Sequence, residues 1–368
     1  MRTNTFGTSG IQVSAVSFGA MRWPSEQECH DIIHHGLDGG LNYIDTSTGY
    51  VQGHSLGWSG SAVQGRRDEI LFSCKSFFGK APSAKEVLQA IKTSLKTAGL
   101  EYFDLWQLWG LGKMEVLEDA LKPGGTIEGI RKAQDKGLVK LGTGFTFHGP
   151  AEVFRAAIDT GEFLCATVSY NLLNRKEEEN IAYAGEKGVG IITMNPLAGG
   201  VLGLAGEDTL AFLCGDGAGP AYGALRFLLA NPSISTPIVG FTAVEEIDQA
   251  VAAAEGSEQL DEAFRQDLIA KADALQLIEG DFCTGCGYCK ECPQGFTPSK
   301  FMQAMRDFIV YGVAEDRLKH WLLSRYPHNV LDEHLAQCTL CGVCREKCPQ
   351  KLPITDQIKQ AKELFGVE

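Results

Sequence analysis

The sequence predicts an α/β fold: a (β/α)8 TIM barrel followed by a small, mainly helical domain. Three observations predict it. Eight short, nearly continuous apolar runs alternate with helical patterns over the first part of the chain, and such runs are expected of parallel strands buried on both faces. Eight strand–helix repeats in about 250 residues is the arithmetic of a closed barrel. No G-x-G-x-x-G turn follows the first run, which weighs against an open doubly wound sheet. Beyond the barrel, eight of the 12 cysteines crowd into two groups, which sets the tail apart as a second module.

The predicted strands are AVSFGA (15–20), LNYID (41–45), EILFSCK (69–75), YFDLWQLW (102–109), VKLGTGF (139–145), LCATVSY (164–170), VGIITMN (189–195) and STPIVGF (235–241). Helical segments lie between them. Ser83 can cap a helix in which Val87, Leu88, Ile91 and Leu95 share a face. TIEGIRKAQDKG (126–137) has apolar Ile127 and Ile130 and a glycine stop. PAEVFRAAIDTG (150–161) opens on proline and closes on glycine. EENIAYAGEKG (178–188) and YGALRFLLANP (222–232) continue the series, and AVEEIDQAVAAAEG (243–256) makes the eighth barrel helix. One more amphipathic helix, 257–275, leads to a boundary near Asp281. Residues 1–280 are therefore read as the barrel and 281–368 as the second domain. Within that domain, 299–312 and 314–326 read as helices.

Apolar residues make up 44% of the 368, enough for a sizeable core plus a small one. No apolar run approaches the ~20 residues that span a bilayer, and MRTNTFGTSG has no apolar core of a signal peptide. These features read as a soluble cytoplasmic protein. The net charge of −13 argues against nucleic acid and anionic membrane as partners. The deficit lies in the first 280 residues, with 22 basic against 35 acidic; the tail has 11 of each.

Cysteine placement carries the chemistry of the tail. Cys29, Cys74, Cys165 and Cys214 are scattered singly. The first group is C-x2-C-x2-C-x2-C-P (Cys283, Cys286, Cys289, Cys292, Pro293) and the second C-x2-C-x2-C-x3-C-P (Cys338, Cys341, Cys344, Cys348, Pro349). Secreted disulfide scaffolds spread their cysteines through a small domain, so two dense groups point to metal in a reducing compartment. Spacing by three lets one curled loop aim three thiolates at one iron–sulfide cube. The cysteine before proline serves the other cluster in two-cluster ferredoxins. The predicted ligand sets for two [4Fe–4S] clusters are thus Cys283, Cys286, Cys289 and Cys348, and Cys338, Cys341, Cys344 and Cys292. Zinc is the alternative, but zinc sites usually use two separated C-x2-C pairs. The first group departs from the ferredoxin pattern by having x2, not x3, before its last cysteine. The helical insert between the groups looks like the helical ferredoxin-like modules fused to larger oxidoreductases.

In the barrel, FGTSGIQVSAVSFGAMRW (6–23), GGLNYIDTSTGY (39–50), GRRDEILFSCK (65–75), SYNLLNR (169–175), NPLAGGVLG (195–203) and IVGFTAVEEID (238–248) resemble the aldo-keto reductases, in the right order over residues 1–255. With its tail, the chain is similar to the bacterial subgroup carrying a C-terminal ferredoxin domain. The resemblance implies hydride exchange between NAD(P)H and a small carbonyl or alcohol. It assigns a tyrosine general acid, Tyr50, assisted by Asp45 and Lys75. The trio makes physical sense: a phenol titrates near pH 10, a nearby ammonium stabilises phenolate, and a buried carboxylate keeps that ammonium charged. The plain alternative is a structural Asp–Lys pair beside a surface tyrosine.

Elsewhere the family pattern is eroded. The family's histidine should end strand four; Trp109 stands there, with one indole donor and no titration. His148, after strand five, is a candidate substitute. Strand five usually ends in serine–asparagine; here it is Thr146–Phe147. Thr167 stands at a glutamine position and Met194 at the aromatic that stacks on nicotinamide. Gly240, near the end of strand eight, and Thr242, just after it, are further cofactor positions. The next helix opens with Glu245 and Glu246, which would repel a 2′-phosphate, although a helix N-terminus attracts one. NADH is therefore favoured over NADPH, if nicotinamide binds.

Three functions remain open. One is an NAD(P)H-linked carbonyl or alcohol oxidoreductase whose clusters relay electrons or brace the fold. Hydride carries two electrons together whereas a cluster passes one, and no flavin motif is evident to convert between them. The second is a nicotinamide-independent enzyme receiving single electrons from a ferredoxin-like redox partner for reduction, elimination or isomerisation. The third is a non-catalytic redox subunit of a larger complex.

Overall fold

The structure is a computed structural model. It describes residues 1–274 apart from 77, 79–80, 205–209, 215–218 and 257–259, together with 289, 292–295, 298–299, 301–302, 333, 335–348 and 352–367. The predicted helices at 299–312 and 314–326, and Cys283 and Cys286, fall largely or wholly outside these residues. Two compact units are present: Met1–Ala198 with Ala221–Leu268, and Gly199–Pro220 with Ile269–Glu368.

The first unit opens with a hairpin, β1 (Thr3–Thr5) and β2 (Gln12–Ser14). Eight further strands then close a parallel barrel: β3 (Ser17–Gly19), β4 (Tyr43–Asp45), β5 (Leu71–Ser76), β6 (Phe103–Leu111), β7 (Val139–Phe147), β8 (Cys165–Ser169), β9 (Gly190–Met194) and β10 (Ile234–Val239). Each falls on one of the eight predicted apolar runs. β3 closes the ring against β10, with Phe18 opposite Val239.

Apolar strand residues face two ways. One core, including Phe18, Ile44, Phe72, Cys74 and Trp106, lies between strands and helices. A second gathers Tyr43, Leu105, Cys165 and Ile192 inside the barrel with Phe6 and Val13 from the hairpin. The hairpin thus plugs the end at which the strands begin. It went unpredicted because its strands are three residues long and largely polar (TNT, QVS).

The helix Ala84–Ala98 buries Val87, Ile91 and Leu95. Its start is fixed by the Ser83–Glu86 capping box and its end by Gly99 in the left-handed conformation. The helix Ser55–Ala62, SLGWSGSA, lacks an amphipathic pattern and was not predicted. Packing explains it: a Cβ on Gly60 would lie 2.1 Å from the Ala98 carbonyl oxygen, so only glycine permits this close approach.

In the second unit the described helices include Val201–Leu204, Val343–Lys347 and Ile354–Phe365. The last buries Ile354, Ile358 and Ala361 and ends at Gly366. Among the described residues no helix is long and apolar enough to cross a membrane.

Candidate functional site

The barrel's polar centre sits at the strand ends where barrel enzymes carry their chemistry. Asp45 is the last residue of β4 and Lys75 lies near the end of β5. Both are buried, and the Lys75 ammonium donates to Asp45 Oδ1 and, at 3.2 Å, to the Thr46 carbonyl. Burial is the largest single influence and opposes the Lys75 charge, but Asp45 and Tyr50 together outweigh it and hold the group above the usual lysine range.

Tyr50 begins a tight turn, Tyr50–Gly53, in which Val51 and Gln52 adopt left-handed φ of 50° and 55°. A β-branched residue there is strained. Hydroxyls pin the base of the loop: Thr46 to Ser55 at 2.9 Å, and Thr48 to Ser76 at 3.1 Å. The turn sets the Tyr50 ring 4.9 Å from the Lys75 nitrogen and edge-on to Trp109, ring centroids 5.8 Å apart. The same nitrogen lies 5.9 Å from the Trp109 ring. Burial pushes the Tyr50 phenol up and Lys75 pulls it back, leaving it above its ordinary value. Asp45, Tyr50, Lys75 and Trp109 are therefore one cluster. His148 is an exposed residue in the loop after β7, its backbone N–H donating to the Leu111 carbonyl at 3.3 Å. The neighbouring thiols are inert: burial raises Cys74 to about 12 and Cys165 higher still.

One buried polar residue escaped the sequence reading. Gln107, in β6, donates to Asp45 Oδ2 at 2.6 Å and to Ser73 Oγ at 2.8 Å. Its only signal was an amide inside an otherwise apolar strand, DLWQLW.

The positions assigned to nicotinamide are occupied by internal bonds. Thr146 Oγ1 accepts from the Gly110 N–H at 2.7 Å, and Thr167 Oγ1 donates to Gln107 Oε1 at 2.8 Å. Met194 is half-buried at the end of β9. Gly240 lies against the Arg22 side chain. The Thr242 N–H donates to Glu246 Oε2 at 2.6 Å, so that carboxylate folds back on the start of the helix Val244–Glu255.

In the second unit, Cys338, Cys341 and Cys344 line one pocket together with Cys292 from the first cysteine group; Cys348 does not line it. Burial raises Cys338, opposed by the Leu340 backbone N–H and by Lys362. Burial likewise pushes Cys344 to about 11, opposed by the Arg345 N–H, with Cys338 and Cys289 adding to the rise. Leu340 and Gly342, at φ 55° and 82°, curl the loop around the pocket. Among the described residues no three His, Cys, Asp or Glu gather as they would around a single ion. Four thiols lining one pocket, with backbone N–H groups donating to Cys338 and Cys344, are the kind of donor set an iron–sulfur cube uses.

Residues 279–352 match the 4Fe-4S dicluster domain. An uncharacterised oxidoreductase of Bacillus subtilis, YqkF, is 24% identical over 289 residues, covering 69% of this chain and 91% of that protein. L-galactose dehydrogenase of Arabidopsis thaliana is 25% identical over 303 residues, covering 73% and 92%. Among solved structures, aldo-keto reductase AKR11C1 from Bacillus halodurans superposes with a TM-score of 0.63 at 25% identity, covering 76% of this chain and 97% of that one. An aldo/keto reductase from Klebsiella pneumoniae, solved with NADP and acetate, shares the fold at a TM-score of 0.61 and 19% identity, covering 76% and 97%. With the aldo/keto reductase family matched over residues 15–271, the chain belongs to that family and is an oxidoreductase of its type with a 4Fe-4S domain following the barrel in sequence.

Proposed function

We propose that the chain acts on a small carbonyl or alcohol substrate, with Tyr50 as proton donor or acceptor at the substrate oxygen and with electrons relayed by two [4Fe–4S] clusters. The observation that carries this is the buried Asp45–Lys75 pair, whose ammonium faces both the Tyr50 and Trp109 rings. A phenol held protonated by burial suits proton donation, and Lys75 stabilises the phenolate left behind. Asp45 keeps Lys75 charged. Trp109, beside Tyr50, takes the carbonyl-orienting role with its indole N–H, in preference to the exposed His148.

In the tail, beyond a boundary near Asp281, Cys292, Cys338, Cys341 and Cys344 hold one cluster, and Cys283, Cys286, Cys289 and Cys348 hold the other. Such clusters supply single-electron transfer, for which a ferredoxin-like redox protein is the proposed partner. Clustered thiols of this kind suit a reducing, cytoplasmic compartment.

Because Thr146, Thr167 and Glu246 are engaged internally, no step is assigned to nicotinamide. Their bonding favours the nicotinamide-independent reading, in which single electrons arrive through the tail. An anaerobic titration separates the readings: NADH, then NADPH, then dithionite is added while the visible absorbance of the clusters is followed. Bleaching by dithionite alone is the expected result. Bleaching by NADH overturns it and restores the nicotinamide-linked reading, with an intervening flavin to be sought.

A further inference from the structure

We infer that Gln107 is a positioning residue for the proton-transfer cluster. It fixes the Asp45 carboxylate, and through it Lys75, from the far side of the barrel. This rests on the Tyr50–Lys75 reading above.

The geometry is a belt of hydrogen bonds across the barrel interior, drawn from four strands. Thr167 on β8 donates to Gln107 Oε1 at 2.8 Å. Gln107 on β6 donates to Asp45 Oδ2 on β4 at 2.6 Å and to Ser73 Oγ on β5 at 2.8 Å. Asp45 turns its other oxygen to Lys75. Every member is at most 2% exposed. The amide orientation is dictated by its neighbours: an ionised carboxylate only accepts, so nitrogen must face Asp45 and oxygen must face the Thr167 hydroxyl. Both amide hydrogens and the amide oxygen are thereby used. A buried network with each member satisfied is rigid, whereas one missing partner leaves a buried polar group unpaired. Without the Gln107 donor, Asp45 Oδ2 has no charge-dispersing partner from β6. The carboxylate is then free to turn, and the ammonium is no longer held beneath Tyr50. Thr167 acts at one remove, by holding the Gln107 oxygen.

The test reads the Tyr50 phenol directly and needs no substrate. The cluster-loaded protein is labelled with fluorotyrosine, whose phenol is more acidic than that of tyrosine, and titrated by fluorine NMR. Of nine tyrosine signals, the one lost in Tyr50→Phe is assigned to Tyr50. Lys75→Met serves as the reference and should raise the Tyr50 midpoint. Gln107→Leu is expected to raise it as well, by about one pH unit, or tenfold in the equilibrium. Thr167→Val, which nearly keeps its shape, is expected to raise it by less. If Lys75→Met moves the midpoint and Gln107→Leu does not, the positioning role is overturned and the Tyr50–Lys75 reading stands. If none of the three moves it, both fall. Should Gln107→Leu fail to fold, Thr167→Val decides: an unmoved midpoint there overturns the inference.

Discussion

At the scale of single residues, the cluster around Tyr50 makes separable demands. Tyr50→Phe keeps the ring against Trp109 and removes only the hydroxyl, so turnover is expected to fall by at least about 100-fold, the usual size of a proton-transfer contribution. Near-normal activity would remove Tyr50 from the mechanism. Asp45→Asn acts on stability. It leaves the buried Lys75 ammonium without its counter-charge, a loss of about 3–5 kcal/mol by denaturant unfolding. The pH dependence follows from the raised Lys75 pKa. A group raised on folding contributes fully below its unfolded value, about 10.4, and loses that contribution as pH rises through the folded value. The stability gap between wild type and Asp45→Asn should therefore stay level from about pH 7 to about pH 9 and close only at higher pH. A gap that widened above about pH 10 would contradict the assignment. Asp45 and Lys75 were legible because each ends an apolar run, and Tyr50 because it lies in the loop just after one, within the stretch that resembles the family. Gln107 was not: it lies mid-strand, where sequence alone leaves a buried amide's partner unknown.

At the scale of elements, two helices carry tests. Glu246 folds back on the first turn of Val244–Glu255, bonding the N–H and hydroxyl of Thr242. Glu246→Ala is expected to cost the helix about 1 kcal/mol through loss of its cap. It should also raise affinity for NADPH relative to NADH by roughly fivefold, since a charge at a helix N-terminus is worth about 1 kcal/mol. Equilibrium binding of both nucleotides checks this, and an unchanged ratio would show that the Glu246 carboxylate does not exclude phosphate. Gly60→Ala places a Cβ against the Ala98 carbonyl and should cost about 1–3 kcal/mol as overpacking, read as a lowered Tm. Helices with a clear apolar stripe, such as Ala84–Ala98, were visible in the sequence. Ser55–Ala62 was not, because its reason to be helical is the neighbour it packs against.

At the scale of the whole molecule, the two cysteine groups are tied by the pocket that Cys292 shares with Cys338, Cys341 and Cys344. Anaerobic preparations should contain roughly eight irons per chain, as two four-iron clusters require, and stoichiometric zinc would sink the cluster reading. Cys292→Ala should damage the cluster held by the second group while sparing the other, so that iron falls towards about four per chain. Loss confined to the first group's cluster would mean that the fourth ligands are not exchanged.

The sequence by itself determined the barrel and the order of its strands. Apolar periodicity and cysteine spacing are local properties, written within a few residues of one another. Only the tertiary structure decided which distant side chains meet. It closed the barrel floor with a polar hairpin, turned Thr167 onto Gln107, and folded Glu246 onto its own helix start. Each of these depends on where the backbone brings residues together across the fold, and no spacing along the chain encodes that distance.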